Sequence, residues 1–319
     1  MGSEGFLKFG SLFEPDEISY DIGDWIGYKE EKNQLSSFLN FFINVMVQSK
    51  EEHTRHEIVE LPLNLTVTAL LYGPPGTGKT MLTMATAKDL GLPVFLVYSD
   101  TLVSQYLGNT LHNIYSVLDG ARKFTENSRP LVVFFDEIDA IVSERSSIHE
   151  VGEIKRAVTA FLQRIDEVSR SGAPIAIIGA TNHELLLDSA VWRRFTTHIS
   201  FSYPSTDDKR RYLARKLQEI KNAKGKARLE VCKIEELSIE RSTEGYTLAD
   251  IERALQMAYF EAFRDRKVGI TEEILTKALK YAGGTENHVQ NQQRAMGFEE
   301  NTNKLSSSDE DQKFEMRVK

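Results

Sequence analysis

A glycine-rich segment that ends in a lysine has the residue types and spacing of a phosphate-binding loop. Glycines let the backbone curl so that successive N–H groups point at phosphate oxygens, and the start of a following helix adds partial positive charge. We expect Lys79 to reach the β- and γ-phosphates of a nucleotide and the Thr80 hydroxyl to ligate Mg²⁺. A glycine-rich connection without a ligand is the alternative, which the complete motif disfavours. The predicted phosphate site consists of Gly73, Pro74, Pro75, Gly76, Thr77, Gly78, Lys79, Thr80 and Met81.

Two adjacent carboxylates, Asp136 and Glu137, follow the apolar run from Leu131 to Phe135. Because side chains alternate along a strand, adjacent acids at its end point in different directions and can have different roles. We expect Asp136 to hold Mg²⁺ through its water shell and Glu137 to polarise the attacking water. A positioned base of this kind contributes typically about 10²- to 10⁴-fold in rate, which favours a hydrolase over a passive nucleotide binder. A solvated acidic turn is the alternative, and it would be preferred if the phosphate loop were absent.

Short apolar runs alternate with helix-like segments through the middle of the chain. Continuous apolar runs of this length suit strands that are covered on both faces, as in a parallel sheet. The predicted strands are Thr68 to Tyr72, Val94 to Tyr98, Leu131 to Phe135, Ile175 to Gly179 and the shorter Ile199 to Phe201. The predicted helices between them are 79–90, 109–123 and 153–168. This alternation predicts an α/β fold of the P-loop type, with a doubly wound parallel sheet of about five strands.

The character of the chain changes after Pro204, because all eight prolines lie at or before it and helical patterning follows. Thr247 and Asp250 fit a capping box that opens a helix, so a small all-helical lid subdomain is expected after the sheet. The last residues are polar, without a periodic apolar face, and are predicted to form a mobile tail. The predicted boundaries are 1–62 for an N-terminal segment, 63–205 for the large α/β subdomain, 206–284 for the lid and 285–319 for the tail.

The composition of the 319 residues, 41% apolar and 27% charged, is that of an ordinary globular protein. The net charge of −8 argues against a chain whose main affinity is for a nucleic-acid backbone. The single cysteine, Cys232, excludes an intramolecular disulfide, and no charged leader precedes an apolar run at the N-terminus, so a cytoplasmic location is expected. The most apolar stretch, 38–47, is shorter than the roughly 20 residues that span a bilayer.

In their order along residues 20–282, these motifs resemble those of the AAA family of ATPases. The resemblance implies that Asn182, after the fourth strand, senses the γ-phosphate, although an amide there could also cap the following turn. It implies that Arg193 and Arg194 are arginine fingers for a neighbouring site, an effect of about 10³- to 10⁵-fold in other nucleotide hydrolases. Many members have Pro-Gly between these arginines. The adjacent pair resembles the spastin and katanin branch, and which of the two arginines is the dominant finger stays open. The alternative is that both are solvated surface arginines.

The resemblance extends to both sides of the expected base site. Ile26 and Gly27 lie in a segment similar to the loop whose backbone reads the adenine edge in this family. Ala249 lies at the start of the lid helix, at the position where other AAA+ branches have a sensor arginine. The lack of an arginine there favours the classical AAA branch over initiator and clamp-loader types. Together with the fingers, these features imply Mg²⁺ and ATP as cofactors and self-association into a ring, expected to be a hexamer.

The segment Tyr106, Leu107 and Gly108 matches the family's first pore loop, and residues 143–151 are a candidate second one. An aromatic side chain in a channel can grip any polypeptide regardless of its sequence, whereas ordinary core packing at a helix start is the alternative. The expected function is therefore the remodelling, unfolding or translocation of a protein client. One alternative is a nucleotide-gated adaptor that activates a separately encoded protease or nuclease, in a bacterial or phage-defence setting. A DNA-linked motor is disfavoured because no basic face is evident.

Overall fold

The computed structural model describes residues 5–47, 67–102, 107–127, 129–142, 151–222, 230–231, 243–264 and 269–282. The strands within these ranges are β1 (Gly10–Phe13), β2 (Thr68–Tyr72), β3 (Val94–Val97), β4 (Leu131–Phe135), β5 (Ile175–Thr181), β6 (Thr197–Ser200), β7 (Glu230–Val231) and β8 (Gly269–Ile270). The helices are α1 (Lys29–Phe42), α2 (Lys79–Asp89), α3 (Ser99–Leu102), α4 (Leu107–Phe124), α5 (Asp139–Val142), α6 (Val151–Arg170), α7 (Ser189–Arg194), α8 (Thr206–Asn222), α9 (Leu248–Arg264) and α10 (Glu272–Ala282).

The main sheet has the strand order β1-β3-β4-β5-β2-β6. Strands β2 to β6 are parallel, and β1 pairs antiparallel with β3 at the edge. The order reverses beside β2, so crossover connections run over both faces, as a doubly wound sheet requires. The predicted fold class is therefore confirmed, while β1 is a sixth strand that was not predicted. Its four residues, Gly10–Phe13, include two apolar side chains and are too short for a periodic signal.

Strands β4 and β5 are buried along their whole length because helices cover both faces of the sheet. Successive side chains of β4 enter opposite apolar clusters. Val133 and Phe135 pack in the cluster of α4 and α6, whereas Val132 and Phe134 pack in the cluster of α1 and α2. This two-sided burial fixes the ends of the strands. The carboxyl ends of β2, β4 and β5 therefore meet at one edge, where α/β sheets bind their ligands.

Helices α8, α9 and α10 share a separate apolar cluster. Helix α9 starts with the predicted capping box: the Thr247 backbone N–H donates to Asp250 Oδ2 at 2.9 Å, and the Asp250 N–H donates to Thr247 Oγ1 at 3.3 Å. These helices lie in the predicted lid, whose boundaries at 206 and 284 remain a proposal. The prediction that the lid is all-helical is wrong, because the short strands β7 and β8 pair in parallel within it. Across the described ranges, no helix combines the length and apolar character that crossing a membrane requires.

Candidate nucleotide site

The loop between β2 and α2 turns at three glycines with positive φ angles, 133° at Gly73, 74° at Gly76 and 88° at Gly78. A Cβ atom on Gly73 would lie 2.0 Å from the carbonyl oxygen of Phe201, so a larger residue could not fit without moving the backbone after β6. Thr77 Oγ1 closes the loop by donating to the Pro74 carbonyl at 2.9 Å. The first turn of α2 follows directly, so its free N–H groups lie at the loop, which suits a bound phosphate.

Lys79 is the buried cation of this loop, with 6% of its surface exposed. Its Nζ donates to the carbonyl oxygens of Gly73 at 2.7 Å and Pro74 at 2.9 Å. Burial lowers the pKa of Lys79 to about 8, and the carboxylate of Asp136 offsets part of this effect. A phosphate would supply the negative charge that the buried ammonium lacks, so the site fits a polyanionic ligand.

Thr80 and Asp136 lie together at the ends of neighbouring elements, as the sequence predicts for two metal ligands. Thr80 Oγ1, in the first turn of α2, donates to Asp136 Oδ2 at 2.9 Å. The Ser99 hydroxyl at the start of α3 donates to the Asp136 carbonyl and holds that backbone in place. A hydroxyl and a carboxylate oxygen are the hard ligands that Mg²⁺ prefers beside phosphate oxygens, so this pair fits the ion.

Glu137 has a φ angle of 50°, which is uncommon for a residue with a side chain. Its N–H donates to Asp136 Oδ1 at 3.1 Å, and the next N–H, of Ile138, donates to the Ala180 carbonyl on β5 at 2.9 Å. These bonds turn the chain sharply after β4 and leave the Glu137 side chain exposed. Unusual backbone of this kind is often found where a reactive group must be aimed, which suits a base that orients water.

Asn182 follows β5, the strand that pairs with β4, and its side chain is half-buried. Thr181 Oγ1 donates to Asp139 Oδ1 at 2.7 Å and accepts the His183 N–H at 2.9 Å. These bonds fasten the end of β5 to the turn after β4. Asn182 and Glu137 therefore lie at the same edge of the sheet, as their predicted roles require.

A cavity of about 660 Å³ lies between the phosphate loop and helices α8 and α9, a volume that suits a nucleotide-sized ligand. Its lining includes predicted site residues from three segments: Ile26, Gly76, Thr77, Gly78, Met81 and Ala249. Gly27 follows Ile26 with a φ angle of 79° and lies against Asp208 of α8. A Cβ on Gly76 would lie 3.1 Å from the Cβ of Ala249, so the phosphate loop and the start of the lid helix are in contact.

The lining also includes residues outside the predicted set, among them Trp25, Tyr212, Lys216 and Glu252. The Trp25 ring lies so close to Gly78 that a Cβ there would be 2.8 Å from its Cη2 atom. On the opposite wall, the Tyr212 hydroxyl donates to Glu252 Oε2 at 2.6 Å, and Lys216 Nζ lies 3.8 Å from the same oxygen. Trp25 lies in the same segment as the predicted adenine-loop residues Ile26 and Gly27, whereas the charged residues of α8 and α9 have the pattern of an ordinary solvated helix face.

Helix α7 carries the two predicted finger arginines in different environments. Arg194 Nε lies 3.1 Å from Asp166 Oδ2 on α6 of the same chain. Arg193 is exposed and has no ion pair or hydrogen bond to any residue that the structure describes. Asp188 caps the helix by accepting the Ala190 N–H at 2.7 Å. Both side chains are exposed, and Arg193 is the one that has no partner among the described residues.

The predicted pore loop is not part of this geometry. Tyr106 and residues 143–150 lie outside the described residues, and Leu107 and Gly108 are described as the first backbone turn of α4. Their predicted contact with a client therefore stays a prediction.

A doubly wound sheet with a glycine-rich loop before α2, a buried lysine and a hydroxyl–carboxylate pair defines a P-loop nucleotide-binding protein. Residues 69–203 match the family described as the ATPase family associated with various cellular activities (AAA). These residues therefore form an AAA domain, as the resemblance of the motifs implied.

One relative and two solved structures are similar to this chain. The AAA family ATPase y4kL of Sinorhizobium fredii is 35% identical over 72% of this chain and 64% of its own length, so the chain spans less than two thirds of that relative. A chain of the HORMA:CdnC:Trip13 complex of E. coli MS115-1 superposes with a TM-score of 0.68 at 22% identity, over 88% of this chain and 97% of its own length. The FIGL-1 AAA domain in complex with ADP has a TM-score of 0.65 at 22% identity, over 93% and 96%. These two structures share the fold.

Proposed function

We propose that this protein hydrolyses ATP with Mg²⁺ at sites shared between subunits of a ring and uses the cycle to remodel a protein client. The observation that carries the proposal is the convergence of Lys79, the Thr80–Asp136 pair and Glu137 at one edge of the sheet. In this proposal Thr80 and Asp136 hold Mg²⁺, which neutralises developing phosphate charge when bound. Lys79 binds the phosphates, Asn182 senses the γ-phosphate, and residues 206–284 close over the base as a lid.

The hydrolytic role is tested by comparing Lys79→Ala with Glu137→Gln. Loss of the buried ammonium should abolish ATP binding, because the phosphates lose their cation. Loss of the base should leave ATP binding intact and slow turnover by about 10²- to 10⁴-fold. Equilibrium binding of a fluorescent ATP analogue and steady-state phosphate release measure the two effects. A Glu137→Gln protein that turns over ATP at the wild-type rate would remove Glu137 from the catalytic role.

The shared site rests on the difference between the two arginines of α7. Both arginines are exposed, but Arg194 is paired with Asp166, whereas Arg193 has no ion pair with any described residue. A guanidinium that reaches a neighbour's γ-phosphate stabilises charge in the transition state. We therefore assign Arg193 as the finger that acts on the neighbouring site and Arg194 as the residue that secures its helix.

Mixing two inactive proteins tests this assignment. Arg193→Ala subunits keep a complete site but offer no finger, whereas Glu137→Gln subunits offer a finger but have no base. In a random equimolar ring, about a quarter of the interfaces combine an intact site with an intact finger, so mixing should restore ATP hydrolysis. The mixture of Arg193→Ala with Arg193→Ala,Glu137→Gln, which has no finger, is the matched control. Absence of restored activity, with mixed rings verified by native mass spectrometry, would refute the shared site.

A protein client is supported by the predicted pore residue Tyr106 and by the fold shared with a chain of a complex that contains a HORMA protein. We expect Tyr106→Ala to hydrolyse ATP within about twofold of wild type and to lose client processing, because an aromatic grip acts on the polypeptide and not on the phosphates. The Glu137→Gln protein, which retains ATP, is the bait for purification of the client. Undiminished processing by Tyr106→Ala would overturn the pore assignment.

The adaptor alternative predicts a different dependence on hydrolysis. If ATP binding alone assembles an activator of a partner protease or nuclease, partner activity should survive Glu137→Gln and fail with Lys79→Ala. A remodelling enzyme should fail with both substitutions, because its work on the client depends on ATP hydrolysis.

A further inference from the structure

The helix that carries Arg193 is fastened to both ends of the strand that precedes the phosphate loop. At the start of β2, Thr68 Oγ1 donates to the Arg194 carbonyl at 2.9 Å, and Thr196 Oγ1 donates to the Thr68 carbonyl at 3.0 Å. At the end of β2, the Tyr72 ring packs edge-on against Trp192, with ring centroids 5.1 Å apart and planes at 77°. Helix α7 therefore takes its position from β2.

A second contact fixes the Trp192 ring from the side of β6. The His198 ring lies 5.0 Å from it, centroid to centroid, and His198 Nε2 is 3.0 Å from the Trp192 carbonyl oxygen. A carbonyl accepts hydrogen bonds and does not donate them, so His198 carries its hydrogen on Nε2 when this bond forms. Trp192 is half-buried and also packs against the larger apolar cluster of the sheet. These contacts on three sides leave its side chain little freedom.

Contacts run without a gap from the phosphate loop to the finger. Lys79 Nζ donates to the Gly73 carbonyl at 2.7 Å, and Gly73 follows Tyr72 directly in the chain. Tyr72 contacts Trp192, and Trp192 directly precedes Arg193. Strand β2 therefore positions both this subunit's own phosphate loop and Arg193, the arginine that we assign to the neighbouring subunit's site.

We propose that Trp192 is a positioning residue for the finger: held between Tyr72 and His198, it aims Arg193 at the neighbouring subunit's site. This inference rests on the proposed action of Arg193 on that neighbouring site. Its consequence is that the substitution of Trp192 acts on the neighbour's rate of hydrolysis and spares the subunit's own nucleotide site.

The mixing experiment described above tests this asymmetry when Trp192→Ala is placed in either partner. In the Glu137→Gln subunit, which supplies the finger, it should lower the restored kcat by at least about tenfold with KM for ATP unchanged, because a misplacement of about 1 Å can cost about 10² in rate. In the Arg193→Ala subunit, which supplies the working site, it should leave kcat within about twofold. The same substitution in the two positions is its own control for damage to the fold.

His198→Ala is a milder second variant, since His198 is exposed on the edge strand β6. It removes one ring contact and one hydrogen bond to Trp192 and should give the same asymmetry, with a loss of about two- to fivefold in the finger-donating subunit. If Trp192→Ala subunits fail to enter rings, the His198→Ala pair decides the question.

Three outcomes would overturn the inference. Equal loss from both placements would mean that Trp192 supports the fold of every subunit and not the finger. Undiminished activity from both would mean that β2 contacts elsewhere suffice to aim Arg193. Failure of the parent mixture, in which Trp192 is intact, would refute the shared site itself, and this result is distinguishable because it precedes any change at Trp192.

Discussion

At the phosphate loop, two polar side chains are buried and bond to the loop's own backbone, whereas at the base end of the cavity a charged pair lies at the surface. Lys79 and Thr77 are 6% and 2% exposed, and both donate to the carbonyl oxygen of Pro74. The side chains of Lys216 and Glu252 are 32% and 36% exposed, and their charged atoms lie 3.8 Å apart. The two ends of one cavity are thus built by different means.

The difference matters because buried groups with fixed partners are already oriented before a ligand arrives. A phosphate loop whose side chains are already oriented loses little conformational entropy on binding, so its contacts with phosphate are strong. Exposed pairs of long side chains are worth little, because solvent screens them and their ordering costs entropy. The phosphate end should therefore determine affinity and catalysis, whereas the base end should adjust as the lid moves.

The largest effect is expected when a methyl group is added to Gly73, the first glycine of the phosphate loop. Gly73→Ala places a Cβ 2.0 Å from the Phe201 carbonyl at a φ angle of 133°. We expect the free energy of unfolding to fall by about 3 kcal/mol or more, because backbone strain and overpacking add. For a chain of 319 residues, a loss of that size corresponds to roughly 5 °C in Tm, measured by thermal denaturation without nucleotide.

Gly245→Ala, shortly before helix α9 of the lid, is the matched control. Gly245 also has a positive φ angle, 70°, but a Cβ there would meet nothing within 4 Å. The conformational cost alone is about 1 kcal/mol. Equal losses at the two glycines would show that the phosphate end has no special packing.

A second test uses the lowered pKa of Lys79. In the free protein the pKa is about 8, and bound phosphate should raise it, so binding above pH 8 must take up a proton. The affinity for ATP should be constant below pH 8 and should fall by about tenfold per pH unit above it. Isothermal titration across this range measures the effect. Lys79→Arg, which keeps its charge, should show no such fall, and a flat wild-type profile would place the pKa of Lys79 well above 8.

The phosphate end could be predicted from sequence because its residues are neighbours in the chain or follow buried strands. The loop needs glycines at fixed offsets, and the apolar runs of β4 and β5 are themselves the signal for their burial. The capping box of Thr247 and Asp250 is likewise a local pattern, and it forms as predicted. Each of these features is determined by residues that lie close together in the sequence.

The remaining features depend on contacts between distant segments. The edge strand β1 forms because β3 offers an unpaired edge, which its four residues do not reveal. The choice between Arg193 and Arg194 depends on Asp166, on another helix. Tyr212 and Glu252 meet across two lid helices, and each alone has the appearance of a solvated surface residue. No pattern within one segment contains such information.

A third test separates metal binding from phosphate binding at the same end. Thr80→Val removes the hydroxyl that lies 2.9 Å from Asp136 Oδ2, with little change in side-chain volume. We expect Mg²⁺ to lose most of its effect on ATP affinity, a loss of about five- to tenfold. Thr83→Val is the control, because its hydroxyl donates to the Lys79 carbonyl one turn further along α2. Titration of ATP with and without EDTA measures both, and full Mg²⁺ enhancement in Thr80→Val would contradict the assignment.

The smallest effect is expected at the base end. Glu252→Gln keeps an oxygen that can accept the Tyr212 hydrogen bond and removes the charge beside Lys216, so the Kd for ATP should change by about twofold at most. Glu261 lies on the same helix as Glu252, away from the cavity, and pairs with Lys277 of α10. Glu261→Gln breaks that pair and should leave the Kd for ATP unchanged. Binding titrations at low and high salt measure both variants. If Glu252→Gln instead costs as much as Thr80→Val, the lid wall is as preorganised as the phosphate loop, and the contrast between the two ends disappears.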